Sequence, residues 1–168
     1  TSSAASDVYK RQSTGSNNVA MGYLALGANT TGSLNIGIGV ETLDANTTGS
    51  YNVAVGKGAM GNNTTADHNT AVGQEALLGN TTGTRNTGVG AFSLYTAQTA
   101  NDNTAIGYDA LKLNTTGTSN VAVGRASLDS NTTGNANTAI GVGALSANTT
   151  SAENTAIGSV ALKENTTG

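Results

Sequence analysis

The stretch Gly56-Lys57-Gly58-Ala59-Met60-Gly61 has the glycine spacing of a nucleotide-binding loop, and His68, next to Asp67, is the only imidazole in the chain. A phosphate cradle needs a strand feeding a long helix, so that the anion rests on the helix N-terminus. Acid–base or metal chemistry at His68 needs unlike partners, and no other His, no Cys and no acidic cluster joins it in sequence. The glycines are flanked by strand and turn signals instead of a helical period, so the loop match is a coincidence. Calcium-binding solenoids carry recurring Gly-Gly-x-Gly-x-Asp units, and no aspartate recurs here. The expectation is a chain that is not an enzyme, with no catalytic residue, no metal and no cofactor.

Composition narrows the partners. The 168 residues include no Cys, no Pro and no Trp, and 10% are charged, for a net charge of −3. Without cysteine there is neither a disulfide nor a thiolate metal site. The acidic balance argues against nucleic acid, and no apolar run is long enough to insert in a membrane. High Gly, Asn and Thr with low charge would suit disorder, but disorder does not keep a strict period.

The period is 17 residues. Asn18, Asn35, Asn52, Asn69, Asn86, Asn103, Asn120, Asn137 and Asn154 begin nine units. At the fifth position of each stand Gly22, Gly39, Gly56, Gly73, Gly90, Gly107, Gly124, Gly141 and Gly158. Position 12 carries Asn29, Asn46, Asn63, Asn80, Asn114, Asn131, Asn148 and Asn165, and only the fifth unit lacks this Asn, with Ala97-Gln98-Thr99-Ala100 in place of Asn-Thr-Thr-Gly. No insertion or deletion interrupts residues 18 to 168, and the last unit lacks its two final positions. Identical modules of this length stack on one another.

The same ruler divides the chain. Residues 13–17 sit in register as the tail of an earlier unit, whereas 1–12, "TSSAASDVYKRQ", miss every diagnostic position. That string resembles translated sequencing-adaptor read-through, so 1–12 are read as a non-native scar and 13–168 as a single β-solenoid repeat domain, expected to be a fragment of a longer array.

One unit reads as one coil. Asn137-Thr138-Ala139-Ile140-Gly141 is strand-like, with Thr138 and Ile140 on one face and Asn137, Ala139 and Gly141 on the other. Ala110-Leu111 and its equivalents suggest a second short strand or corner, and Asn-Thr-Thr-Gly suits a type I turn. All 14 charged residues outside 1–12, and the aromatics Tyr23, Tyr51, Phe92, Tyr95 and Tyr108, fall in three variable pairs of positions. Charges are rarely buried unpaired, so these pairs face solvent and the other eleven positions face inward or into ladders. The asparagines would then stack about 4.8 Å apart and bond up the ladder. Turn and ladder chemistry accounts for Asn-Thr-Thr without its use as a glycosylation sequon. The fifth unit is the expected weak point or bulge. The thin core, together with the small Asn/Ala/Gly strand face, favours self-association, and a homotrimer packed on that face is the preferred arrangement.

The units "NTAIGYDALKLNTTGTS" and "NVAVGRASLDSNTTGNA" resemble the head repeats of trimeric autotransporter adhesins, and more closely the Asn-Thr-Ala-Ile-Gly…Asn-Thr-Thr-Gly arrays of tail-fibre-like proteins of bacteria and phages. The resemblance covers residues 13 to 168. It implies a left-handed parallel β-roll of three chains, displayed outside the cell or on a virion, that attaches to glycans or to host or matrix proteins. In that family the strand equivalent to Asn137 to Gly141 packs toward the trimer centre. The family repeat is nearer 14 residues, so this unit is larger on its Asn-Thr-Thr-Gly side. No membrane anchor, coiled-coil stalk or self-cleaving domain accompanies it here.

The expected fold is thus all-β, a parallel solenoid of nine coils extending about 43 Å. The expected function is structural and adhesive display, with the aromatics as possible surface contacts. The competing expectation is an ice- or crystal-binding solenoid, because Thr fills position 14 in every unit from Thr31 to Thr167. Adjacent residues point to opposite faces, so the Thr columns at positions 13 and 14 cannot share one flat surface.

Overall fold

The computed structural model describes residues 14–167. It is an all-β solenoid with one short strand per coil: β1 (Val19–Met21), β2 (Ile36–Ile38), β3 (Val53–Val55), β4 (Thr70–Val72), β5 (Thr87–Val89), β6 (Thr104–Ile106), β7 (Val121–Val123), β8 (Thr138–Ile140) and β9 (Thr155–Ile157). They form one parallel sheet in chain order. The register is constant at one repeat, from Val19 opposite Ile36 to Ile140 opposite Ile157. No helix occurs among the described residues, and residues 1–12 lie outside them.

Each strand is ended by the glycine at position 5. Gly73 has φ +136°, a conformation closed to other residues, and a Cβ there would lie 2.6 Å from the carbonyl carbon of Gly90 in the next coil. From Gly22 to Gly141 the glycine column is therefore doubly required, by backbone angle and by the approach of the neighbouring coil.

Of the second short strand or corner expected at Ala110-Leu111 and its equivalents, the structure has the corner and no strand. The segment from position 5 to position 12 is a chain of turns, in which Ala25 N–H donates to Gly22 O, Gly27 N–H to Leu24 O and Asn29 N–H to Leu26 O. The N–H groups between them bond to the next coil, as Leu26 to Thr42 O and Ala28 to Asp44 O. The cause is positive φ at positions 7 and 9, for example Leu24 at 55° and Leu26 at 53°. Each left-handed residue turns the backbone enough that extended pairing cannot continue. A leucine in this region costs about 1–2 kcal/mol. Its burial, worth about 1.5–3 kcal/mol, offsets that cost. Leu26, Leu43, Met60, Leu77, Leu94, Leu111, Leu128 and Leu145 form a single buried file along the axis, packed with alanines such as Ala54, Ala71 and Ala105.

The strand faces are also opposite to expectation. Asn and Ala at positions 1 and 3 point into the coil, with Asn52 and Ala54 fully buried, while Val, Ile and Thr at positions 2 and 4 point outward. The small Asn/Ala/Gly face is consumed inside each coil and is not the face open to another chain. A coil this narrow accommodates only small groups beside its leucine, which sends the branched side chains outside. Positions 2, 4, 13 and 14 are therefore uncharged yet reach the solvent, a departure from the inward placement expected of the eleven uncharged positions.

Gly73→Ala is expected to lower stability by about 3–5 kcal/mol, combining backbone strain with overlap. At Gly158 a Cβ meets nothing nearer than Ala161 Cβ at 3.8 Å, so Gly158→Ala should cost only the strain, about 1–3 kcal/mol. Urea unfolding of the two variants measures the difference.

Candidate functional site

The buried asparagines form two hydrogen-bonded ladders that meet at one carbonyl in every coil that carries both amides. At position 1, Asn35 Oδ1 accepts from the backbone N–H of Asn52 at 3.0 Å, and Asn35 Nδ2 donates to Gly49 O at 2.8 Å. At position 12, Asn46 Nδ2 donates to Asn29 Oδ1 at 2.9 Å and to the same Gly49 O at 3.0 Å. The arrangement recurs, with Asn52 and Asn63 both donating to Ala66 O, and Asn103 and Asn114 both to Gly117 O. Each pair ties the beginning and middle of a coil to its end.

Asn-Thr-Thr-Gly is consequently not the hydrogen-bonded turn expected of it. Gly32 N–H reaches Thr47 O of the next coil at 3.4 Å, while the four residues are bridged by Asn29 Nδ2 to Gly32 O at 2.9 Å. The sequon nitrogens of Asn29, Asn46, Asn63, Asn80, Asn114, Asn131 and Asn148 are buried and donating, so they are closed to a glycan in the folded chain.

The fifth coil interrupts only one ladder. Its strand keeps register, Thr87 opposite Thr104, and there is no bulge. Ala97 lacks the amide that would donate to Asn80 Oδ1, which is buried without a hydrogen-bond partner. Thr96 turns its hydroxyl to Lys112 O at 3.0 Å in the following coil.

The glycine stretch at 56–61 has no free cradle of donors. Gly56 and Gly58 donate to Ile38 O and Val40 O, Met60 to Ala76 O and Gly61 to Gly58 O. His68 is exposed and stacks on Tyr51, with ring centroids 4.8 Å apart and planes 9° from parallel. Among the described residues no three His, Asp or Glu side chains gather as a metal would require.

The outer surface consists of columns. Position 14 is a file of exposed threonines, Thr31 to Thr167. The neighbouring position 13 spends its hydroxyls on the next coil, as Thr47 Oγ1 to Thr64 O at 3.0 Å. Positions 2 and 4 make an uncharged stripe that includes Met21, Val72, Ile106, Ile140 and Ile157 among its exposed members. Arg85 and Asp102 form an exposed two-pronged ion pair across adjacent coils, at 2.6 and 2.8 Å. This hydrogen-bonded contact raises the arginine pKa and lowers that of the aspartate.

The five aromatics do not act alike. Tyr23 is widely exposed, at 70%, and Tyr51 pairs with His68. Phe92, Tyr95 and Tyr108 come together: Phe92 is 6.0 Å from Tyr95 and 5.8 Å from Tyr108, both edge to face. Lys112 Nζ lies over the Phe92 ring at 5.6 Å and 3.0 Å from Asp109 Oδ1. The bond to Asp109 is the main reason the lysine pKa rises, against the lowering effect of burial. Asp129 belongs to the same column as Tyr95 and Lys112, and burial pushes its carboxyl pKa upward in spite of backbone N–H donors. Sequence reading had all five rings on the surface but not the grouping of three. The signal was present, since Phe92 and Tyr95 are in one unit and Tyr108 and Lys112 occupy neighbouring slots of the next.

Comparison with protein-family models, curated proteins and solved structures finds no match for this chain.

Ala97→Asn should restore the interrupted ladder by donating to Asn80 Oδ1 and accepting from Asn114. A gain of about 1–2 kcal/mol is expected in urea unfolding, while a loss would show that the fifth coil has no room for the amide. Because the folded Asp129 pKa is raised, the ionised carboxylate costs stability as pH rises from the ordinary carboxylate range through the raised value. Asp129→Asn should therefore stabilise the protein at pH 7, with the gain vanishing in acid, as read from melting temperatures across pH.

Proposed function

We propose that this chain is a display rod, a structural and adhesive repeat segment of an adhesin head or a tail-fibre-like protein. It would act outside the cell, on a cell surface or on a virion, and perform no catalysis. One observation carries this reading. The coils stack in unbroken register and leave an uncharged stripe of Val, Ile, Met and Thr along the whole outer strand face, from Val19 and Met21 to Thr155 and Ile157. A core one leucine wide supplies little burial per coil, and a continuous apolar stripe gives other copies of the chain a surface to cover.

The trimer is retained as part of the proposal, with a different contact face. The partners would meet through positions 2 and 4 of each strand, since the small residues are enclosed. The ladders account for rigidity, and the variable columns are then the surface on which attachment contacts reside. The repeat resemblance is consistent with this placement outside the cell.

The exposed threonine file favours a second reading, an ice- or crystal-binding face. Because position 13 hydroxyls bond to the next coil, that face is a single file wide. Thermal hysteresis at micromolar protein would support this reading, and its absence would remove it.

Light scattering on a size-exclusion column tests the rod. The expected mass is that of three chains, and Ile106→Lys with Ile140→Lys should reduce it to one without loss of the β spectrum. A folded native monomer would overturn the trimer.

A further inference from the structure

We infer that the ring cluster of the fifth and sixth coils is a binding site for a neutral pyranose sugar of an oligosaccharide. This rests on the display reading and names what the rod attaches to.

The repeat offers the same outward slots in every coil, but only here do three of them hold rings that touch. The preceding coil has Gln74, Glu75 and Leu78 in these slots, and the following coil has Arg125, Ala126 and Asp129. Among the described residues the cluster is the one place where three rings meet, the other ring contact being the Tyr51–His68 pair.

One ring, Tyr108, is exposed, Phe92 and Tyr95 are half-buried beside it, and all three are held. Tyr108 is 50% exposed, while its edge-to-face contact with Phe92 fixes the plane of the ring. Tyr95 approaches Phe92 in the same manner, and Lys112 covers one Phe92 face. A ring already ordered in the free protein loses little entropy on binding, which favours it as a contact surface.

The ligand follows from the chemistry of the rim. A pyranose has an apolar C–H face that packs against an aromatic ring and hydroxyls at its edge that both donate and accept. The rings carry the Tyr95 and Tyr108 hydroxyls, which donate and accept, and the Lys112 ammonium lies over Phe92 as a donor, its Asp109 partner having Oδ1 buried. Lys112 and Asp109 already neutralise one another at 3.0 Å. An anionic sugar would have to compete with Asp109 for that lysine, so the arrangement selects an uncharged ring.

The test uses the full chain with hexasaccharides of β-linked glucose, galactose and N-acetylglucosamine, and sialyllactose as an anionic probe. Ring-proton NMR and calorimetry report binding, and light scattering on the same sample reports assembly. At least one neutral probe is expected to shift the Phe92 and Tyr108 ring signals. Tyr108→Ala should weaken that binding about tenfold or more, while Tyr23→Ala leaves it unchanged. Silence toward all neutral probes, preference for sialyllactose, or binding indifferent to Tyr108→Ala would each overturn the site. Loss of binding in a sample with the mass of three chains condemns the site alone. A folded monomer that still binds through Tyr108 condemns the trimeric rod and leaves the site standing.

Discussion

Everything in this molecule depends on an amide pair closing on one carbonyl. In seven of the first eight coils the side chains at positions 1 and 12 both donate to the carbonyl at position 15, as Asn35 and Asn46 do to Gly49, and in the fifth coil Asn86 does so alone, to Ala100 O. The same asparagines pass bonds to the adjacent coils, through Asn52 N–H to Asn35 Oδ1 and Asn46 Nδ2 to Asn29 Oδ1. One side chain type thus closes the loop and stacks it. Buried amides are tolerable only when so satisfied, because an unpaired polar group in the interior carries its full desolvation cost. That requirement forbids insertions, since a single extra residue would break donors and acceptors in two coils at once.

This closure leaves little room for a conventional core. Inside the ring of backbone there is space for one leucine per coil and for alanine or glycine opposite it. The leucine enters with a left-handed backbone, which by itself is unfavourable. Burial of that side chain and the bonds made by the adjoining turns hold it there. The larger branched residues have nowhere to go but outward, and the uncharged stripe that the proposed assembly uses is a direct consequence of how tightly each coil is drawn.

The surface divides between regular files and local exceptions. The threonine file and the apolar stripe repeat in every coil and suit extended contacts. The ring cluster around Phe92 occurs once and suits a discrete ligand. It begins in the unit that also departs from the amide ladder at Ala97, so the fifth coil has both an internal break in that ladder and part of the most distinctive surface.

The coil length, the parallel stacking, the outward placement of charged and aromatic side chains and the amide ladders were all legible in the residues themselves. A fixed spacing of asparagine and glycine over nine units permits few other structures. The backbone between Gly22 and Asn29 was not legible, because positive φ at Leu24 and Leu26 has no local signature; only Gly58 and Gly143 hint at it. Nor did alternation along Asn137 to Gly141 say which face was inside. Strand periodicity separates two faces without ranking them, and here the polar amides were buried and the valines and isoleucines exposed. That choice belongs to the tertiary structure, since it depends on the width of the coil and on where the asparagine side chains find their acceptors. The meeting of Phe92, Tyr95 and Tyr108 was decided there too, by the rotamers through which neighbouring coils bring their rings into contact.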